Sequence, residues 1–260
     1  MTSVSTSSTR RLETKRKAAV AVIGFTLLLA SFSFAQEKPA EAPPWKGDVA
    51  LSLSLSRGNA RSMNFGFTFA ADGPVGRNLT LENKGVYLFG EVDSATSVES
   101  AQVSSRLGWK HSSRVFSFYE LQAVRNRFKN YSYRFMPAAG FGYKAVDQKN
   151  LVIALDAGVS GVASRYYDTG DTASFAGLKL GESLVWKISE TAEFNEKLEI
   201  NSDISRMSRY FFRLETNLVT ALAKSWAVKL TFINYYENRP VGLGIKKNDV
   251  TLIAGISRKF

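Results

Sequence analysis

The chain of 260 residues contains no cysteine and a single histidine, His111. The first absence excludes a disulfide framework, thiolate-held zinc and a lipid anchor on a lipobox cysteine. The second leaves little for an imidazole metal site. Long apolar runs are also missing. The longest, Ala18 to Ala30, covers 13 residues, whereas a membrane-spanning helix takes about 20. A hydrophobic fraction of 45% and a mean hydropathy of −0.12 exclude a bundle of membrane helices. They do not exclude a membrane β-barrel, whose strands alternate polar and apolar residues. No stretch after Trp45 keeps a helical period, so the reading is all-β.

Aromatic residues are plentiful: 18 Phe, 10 Tyr and 4 Trp. The net charge of +11 is partly confined to the start of the chain. Residues 1–35 carry Arg10, Arg11, Lys15, Arg16 and Lys17 against Glu13, a net of +4, which leaves +7 for the rest. Those remaining cations are scattered singly along the chain rather than clustered. They point to anionic lipid headgroups or acidic solutes and away from nucleic acid.

The N-terminal pattern is that of a secretory signal peptide over residues 1–35. A basic segment precedes the apolar run, and Ser33-Phe34-Ala35 places cleavage after Ala35. Arg10-Arg11 resembles a twin-arginine signal, but Glu13 stands where an apolar residue belongs, which favours the Sec translocon. Residues 36–46, rich in Pro and Ala, read as a periplasmic tether. Residues 47–260 read as the barrel.

Twelve alternating runs follow, with turn signals between them. In the first, Val49, Leu51, Leu53 and Leu55 alternate with Ser52, Ser54 and Ser56. Later, Tyr210, Phe212, Leu214, Leu218 and Leu222 alternate with Arg213, Glu215 and Asn217. Such runs, about 10–15 residues long, exceed the soluble average of about 5–6 and suit membrane strands of about 9–11. Gly58-Asn59 and Asp72-Gly73-Pro74 read as breaks. Connections near Asp72–Arg77, His111–Ser113, Ala145–Asn150, Ser189–Thr191 and Ala223–Ser225 are short. Those at Glu91–Glu99, Ser164–Thr172 and Glu237–Asn248 are longer, the alternation expected of periplasmic turns and extracellular loops. Asn83 and Glu182 fall on lipid-side faces and Pro137 falls inside a strand, so a bulge is expected near each. The last run places Leu252, Ala254 and Ile256 on one face with the terminal Phe260, the pattern read by the outer-membrane barrel assembly machinery.

Candidate chemistry is sparse. His111-Ser112-Ser113 is where a His-activated serine could arise, giving an outer-membrane lipid hydrolase as the alternative reading. No phosphate-binding loop is present, and Gly140-Phe141-Gly142 lies mid-strand. Asp168 and Asp171 lack the rest of a calcium loop. No catalytic, metal or cofactor residue is therefore assigned. The polar face carries more: Glu120, Arg134, Asp156, Lys197, Glu199, Arg213, Glu215 and Lys229 are expected to face the lumen, as are Glu82, Lys84, Arg106, Lys144 and Lys179. Interleaved signs suggest a narrow, crosslinked interior rather than a selectivity ring of one sign.

In Trp45-Lys46-Gly47, Gly58-Asn59-Ala60, Arg134 with Gly140 to Tyr143, Leu155 to Gly158, and Tyr235-Tyr236 to Pro240, the chain resembles the salt-induced outer membrane protein family (DUF481-like). Arg258 departs from it, standing where such barrels place an aromatic or apolar residue. The resemblance implies an outer-membrane barrel and no established biochemical role. The reading as a whole is a closed antiparallel up-and-down transmembrane β-barrel of about twelve strands in a Gram-negative outer membrane. It is expected to be non-enzymatic and monomeric, with a role in envelope integrity or narrow solute passage. Its expected partners are membrane lipids and the export and assembly machineries.

Overall fold

A computed structural model of the chain describes residues 45–56, 62–92, 95–127, 129–242 and 244–260. The signal peptide, its cleavage at Ala35, nearly all of the tether and the Gly58-Asn59 turn lie outside these residues. The described chain forms twelve strands: β1 (Lys46–Ser56), β2 (Ser62–Pro74), β3 (Leu79–Val92), β4 (Ala95–Lys110), β5 (Val115–Asn126) and β6 (Tyr131–Asp147), then β7 (Leu151–Tyr166), β8 (Thr172–Lys187), β9 (Ala192–Asp203), β10 (Tyr210–Ala221), β11 (Trp226–Glu237) and β12 (Asn248–Lys259). Each strand pairs antiparallel with its sequence neighbours, and β12 returns to β1 to close the barrel. Closure satisfies backbone groups without leaving an edge, which is what a sheet in lipid requires.

The seam runs in register from Asp48↔Lys259 to Leu51↔Ile256. Gly47 and Phe260 finish it with reciprocal backbone bonds of 3.1 and 3.2 Å. A Cβ on Gly47 would stand 2.4 Å from the Phe260 ring, so glycine is what lets the terminal aromatic lie across the seam. Val250, Leu252, Ala254, Ile256, Arg258 and Phe260 all take the exposed positions of β12's alternation.

The outward face is apolar because strand side chains alternate with period two. Leu51, Leu53, Phe141, Val159, Leu180, Leu252 and Ile256 each expose between 53 and 68% of their surface, the signature of an acyl-chain belt. The two rims differ. All four tryptophans, Trp45, Trp109, Trp186 and Trp226, stand exposed at the end that carries both termini. At the opposite end Tyr133 and Tyr167 are exposed, and Tyr210, Phe212 and Tyr236 stack together. Aromatic girdles of this kind mark the two membrane interfaces of a barrel.

Connections at the termini end span three or four residues: 75–78, 111–114, 148–150, 188–191 and 222–225. At the loop end, β11 and β12 are joined by the ten residues 238–247 and β7 and β8 by 167–171. Two expected breaks are absent. Asp72-Gly73-Pro74 continues β2, and of the loop expected at Glu91–Glu99, Glu91 and Val92 belong to β3 and Ala95 to Glu99 to β4. Pro74 sits on the final β2 rung opposite Thr80, where its missing N–H costs the ladder least.

Nor do bulges rescue the three awkward residues. Around Asn83 and Glu182 the register is continuous, and both side chains face outward. Pro137 interrupts only its ladder to β7, with Phe135↔Ala163 and Ala138↔Ser160 keeping phase on either side. Facing Gly161 supplies room for the Pro137 ring. The register shifts lie instead at Gly90/Glu91, Val124/Asn126, Tyr131/Tyr133 and Lys144/Val146.

Candidate functional site in the barrel lumen

The inward faces of β4 to β9 bring together a dense ionic layer. Arg106 reaches Glu120 at 2.8 Å and Asp156 at 2.7 Å. Lys179 bridges Glu120 at 2.8 Å and Glu199 at 2.7 Å. Lys197 adds a contact to Glu199 at 3.2 Å, and the Gln122 amide donates to both Glu199 oxygens at 3.1 Å. Glycine makes the layer possible. Gly140, paired with Phe118, meets Gly158 across the next rung so closely that neither could carry a Cβ. That bare wall admits the fully buried Phe118 ring, on which the Arg106 guanidinium stacks at 4.0 Å. A Cβ at Gly181 would likewise stand 2.5 Å from an Asp156 oxygen. Glu120, Lys179 and Glu199 are each no more than 4% exposed, so these charges persist only because they neutralise one another.

A second cluster crosses the loop end. Arg134 on β6 contacts Glu237 at 3.1 Å and donates to the Tyr235 hydroxyl at 2.7 Å, the Tyr131 hydroxyl at 2.5 Å and Ser164 Oγ at 2.9 Å. Its guanidinium lies over the Tyr131 ring at 3.7 Å. Tyr131 in turn donates to Glu237. Just above, Lys129 pairs with Asp249 at 3.0 Å and donates to the Lys246 carbonyl at 3.1 Å. Asn130, held at a positive φ of 64°, donates to the Val241 carbonyl at 3.2 Å and accepts from the Tyr167 and Asp168 amides. Its hydrogen bond to the Asp168 carboxyl holds that group below the ordinary aspartate value of 3.8. In the strand ring the β5–β6 and β11–β12 junctions lie six places apart, the maximum in a ring of twelve. The mouth is therefore tied along its diameter.

Between the two clusters lies a chamber of about 300 Å³, floored by Gln122 and Glu199 and roofed by Lys129, Tyr131 and Arg134. Met136, Val162 and Phe211 form an apolar core beside it, inside the barrel. The lumen is not dry throughout. Glu82 and Lys84, paired on β3, keep 36 and 40% of their side-chain surface accessible. Arg213 pairs with Glu215 at 2.5 Å, and Lys229 pairs with Asp48 at 2.7 Å.

All eight lumen candidates thus face inward, but they fall in four places rather than one. Glu120, Asp156, Lys197 and Glu199 share the mid-lumen layer, Arg213 and Glu215 form their own pair, and Lys229 lies near the termini end. Arg134 belongs to the mouth. Its partners Tyr131, Tyr235 and Glu237, with the tether residues Lys129 and Asn130, went unrecognised in the sequence. All but Tyr235 sit at or next to a strand end, where alternation no longer distinguishes core from loop. Lys144 pairs with Asp147 near the rim. Glu196 also faces outward, opposite Leu184 in the outward pair next to Glu182↔Leu198.

His111 meets a serine, though neither neighbour in sequence. Its Nε2 lies 3.0 Å from Ser117 Oγ on the outward wall, between Trp109 and Phe141. Ser112 instead accepts from the Arg114 and Val115 amides and caps the turn. Ser117 is 7% exposed, and no carboxylate or amide orients the imidazole among the described residues. A buried hydroxyl beside an unoriented base is poorly placed for attack on an ester. Asp168 and Asp171 belong to the β7–β8 connection, where Asp168 serves the Asn130 hydrogen bonds.

The profile of a family described as "Protein of unknown function, DUF481" matches residues 49–260. The chain belongs to this family. No curated protein matches the DUF481 chain. Among solved structures it is similar to the NanC porin, at 12% identity and a TM-score of 0.49 over 83% of this chain and 100% of that one. It is similar to the KdgM porin solved in complex with disordered oligogalacturonate, at 11% identity and a TM-score of 0.46 over 83% and 99%. An outer membrane channel from Pseudomonas putida F1 matches at 11% identity and a TM-score of 0.48 over 87% and 100%.

Proposed function

We propose that this DUF481 protein is a non-enzymatic, monomeric barrel of the Gram-negative outer membrane, passing only small solutes through a narrow lumen. The observation that carries this reading is the Lys179 bridge between Glu120 and Glu199. With Arg106 and Asp156 it joins β4, β5, β7, β8 and β9 inside the barrel and leaves no wide pore along that wall. The accessible Glu82–Lys84 pair supports a residual water path on the other side. Lipids on the apolar belt, and the Sec and barrel-assembly machineries during biogenesis, complete the proposed set of partners. A role in envelope integrity under salt stress fits the same architecture, because a crosslinked lumen adds rigidity without adding leakage.

Planar-bilayer recording tests this. Small discrete steps, well below those of an open general porin, are expected from the detergent-purified protein. Large steps would overturn the narrow lumen, and none at all would leave a purely structural role.

A further inference from the structure

The chamber beneath the mouth holds about 300 Å³, at the lower end of the range that accommodates ligands. Five ionised side chains reach its wall, and each already has a partner. Lys129 has Asp249 at 3.0 Å, Arg134 has Glu237 at 3.1 Å, Arg213 has Glu215 at 2.5 Å, and Glu199 has Lys179 at 2.7 Å. A charged guest would find no spare counter-charge, and its desolvation would go uncompensated.

What the wall does offer is of two kinds. Val86, Leu88, Val124, Met136, Phe211 and Ile233 provide apolar surface. Gln102 and Thr251 bring an amide and a hydroxyl to the same wall. Neither makes a side-chain hydrogen bond to another described residue, so both are available to a guest. We propose that this chamber is a binding site for a small uncharged molecule with an apolar body and one or two hydroxyl or amide groups. The body lies against Met136, Phe211 and Leu88, and the polar end meets Gln102 or Thr251. Access is through the mouth, where Lys129 and Asp249 both line the chamber and tether the β11–β12 connection. The inference deepens the narrow-lumen reading by naming the solute class, and it rests on that reading for its place in transport.

The native chain has no cysteine, so Met136→Cys gives one reporter thiol in the chamber, with Val124→Cys as a second should the first misfold. Folding of each variant is checked by its heat-dependent gel migration. Labelling by a membrane-impermeant maleimide is timed with 2-phenylethanol, with phenylacetate, or with neither. The alcohol is expected to slow labelling saturably, by about tenfold at a free concentration about ten times its dissociation constant. Phenylacetate should leave the rate unchanged, and Leu88→Trp, which fills the chamber, should abolish the protection. No protection by the alcohol, or equal protection by the anion, overturns the site. Conductance recorded on the same preparations separates the two readings. Protection without conductance keeps the site and removes solute passage, whereas conductance without protection does the reverse.

Discussion

In mid-lumen Glu120 and Glu199 each face two or more cations, whereas at the mouth Arg134 and Glu237 have, among the described residues, only each other for charge. Glu120 meets Arg106 and Lys179, and Glu199 meets Lys179 and Lys197. Among the described residues Glu237 has Arg134 as its one charge partner, assisted by the neutral hydroxyls of Tyr131 and Tyr235. The first arrangement tolerates the loss of one member, because the remaining charges can share. The second cannot, since removing either charge strands the other in a nearly inaccessible place. A redundant network suits a permanent wall, and a single pair suits a junction that must come apart.

The largest expected effect follows from that contrast. Arg134→Met should strand Glu237 and cost about 3–5 kcal/mol, measured by urea unfolding in lipid vesicles. Arg134→Met with Glu237→Met should recover most of that loss. A double variant as unstable as the single one would show that the hydroxyl contacts, rather than charge, hold the mouth. Glu199→Gln is expected to cost less, about 1–2 kcal/mol, because Glu120 still neutralises Lys179. Equal losses at Arg134 and Glu199 would erase the distinction between the two clusters.

The smallest effect concerns pH at the mouth. The Asp168 carboxyl titrates below 3.8 in the folded chain through its Asn130 hydrogen bond. Its contribution is therefore fully present above 3.8 and disappears as the pH falls through the lowered value. Reduced protection of the Tyr167 and Asp168 amides, relative to their intrinsic exchange rates at each pH, is expected only under such acid conditions. Protection lost already near neutrality would assign the opening to another group.

Strand existence and facing were legible because a lipid-facing wall favours alternation, so Val49 to Leu53 declared themselves, and Phe194, Leu198 and Ile200 did so despite the outward Glu196. The start of β4 was not. Its Ala95-Thr96-Ser97-Val98-Glu99 segment has no clear alternation, and it follows a register shift at Gly90/Glu91. For the site, sequence showed which side chains point inward but not which of them meet. Whether Arg134 finds Glu237, more than a hundred positions away, depends on register and strand tilt around five strands, and no local pattern encodes that. His111 shows the same limit at short range: the turn geometry carries its ring past Ser112 and Ser113 to Ser117.

Gathering every indole at one rim also has a practical result. The ultraviolet emission of the folded protein originates from a single leaflet boundary and is silent about the other. The chain thus carries its own depth gauge, one that brominated acyl chains can read asymmetrically to tell which way round the barrel has gone in.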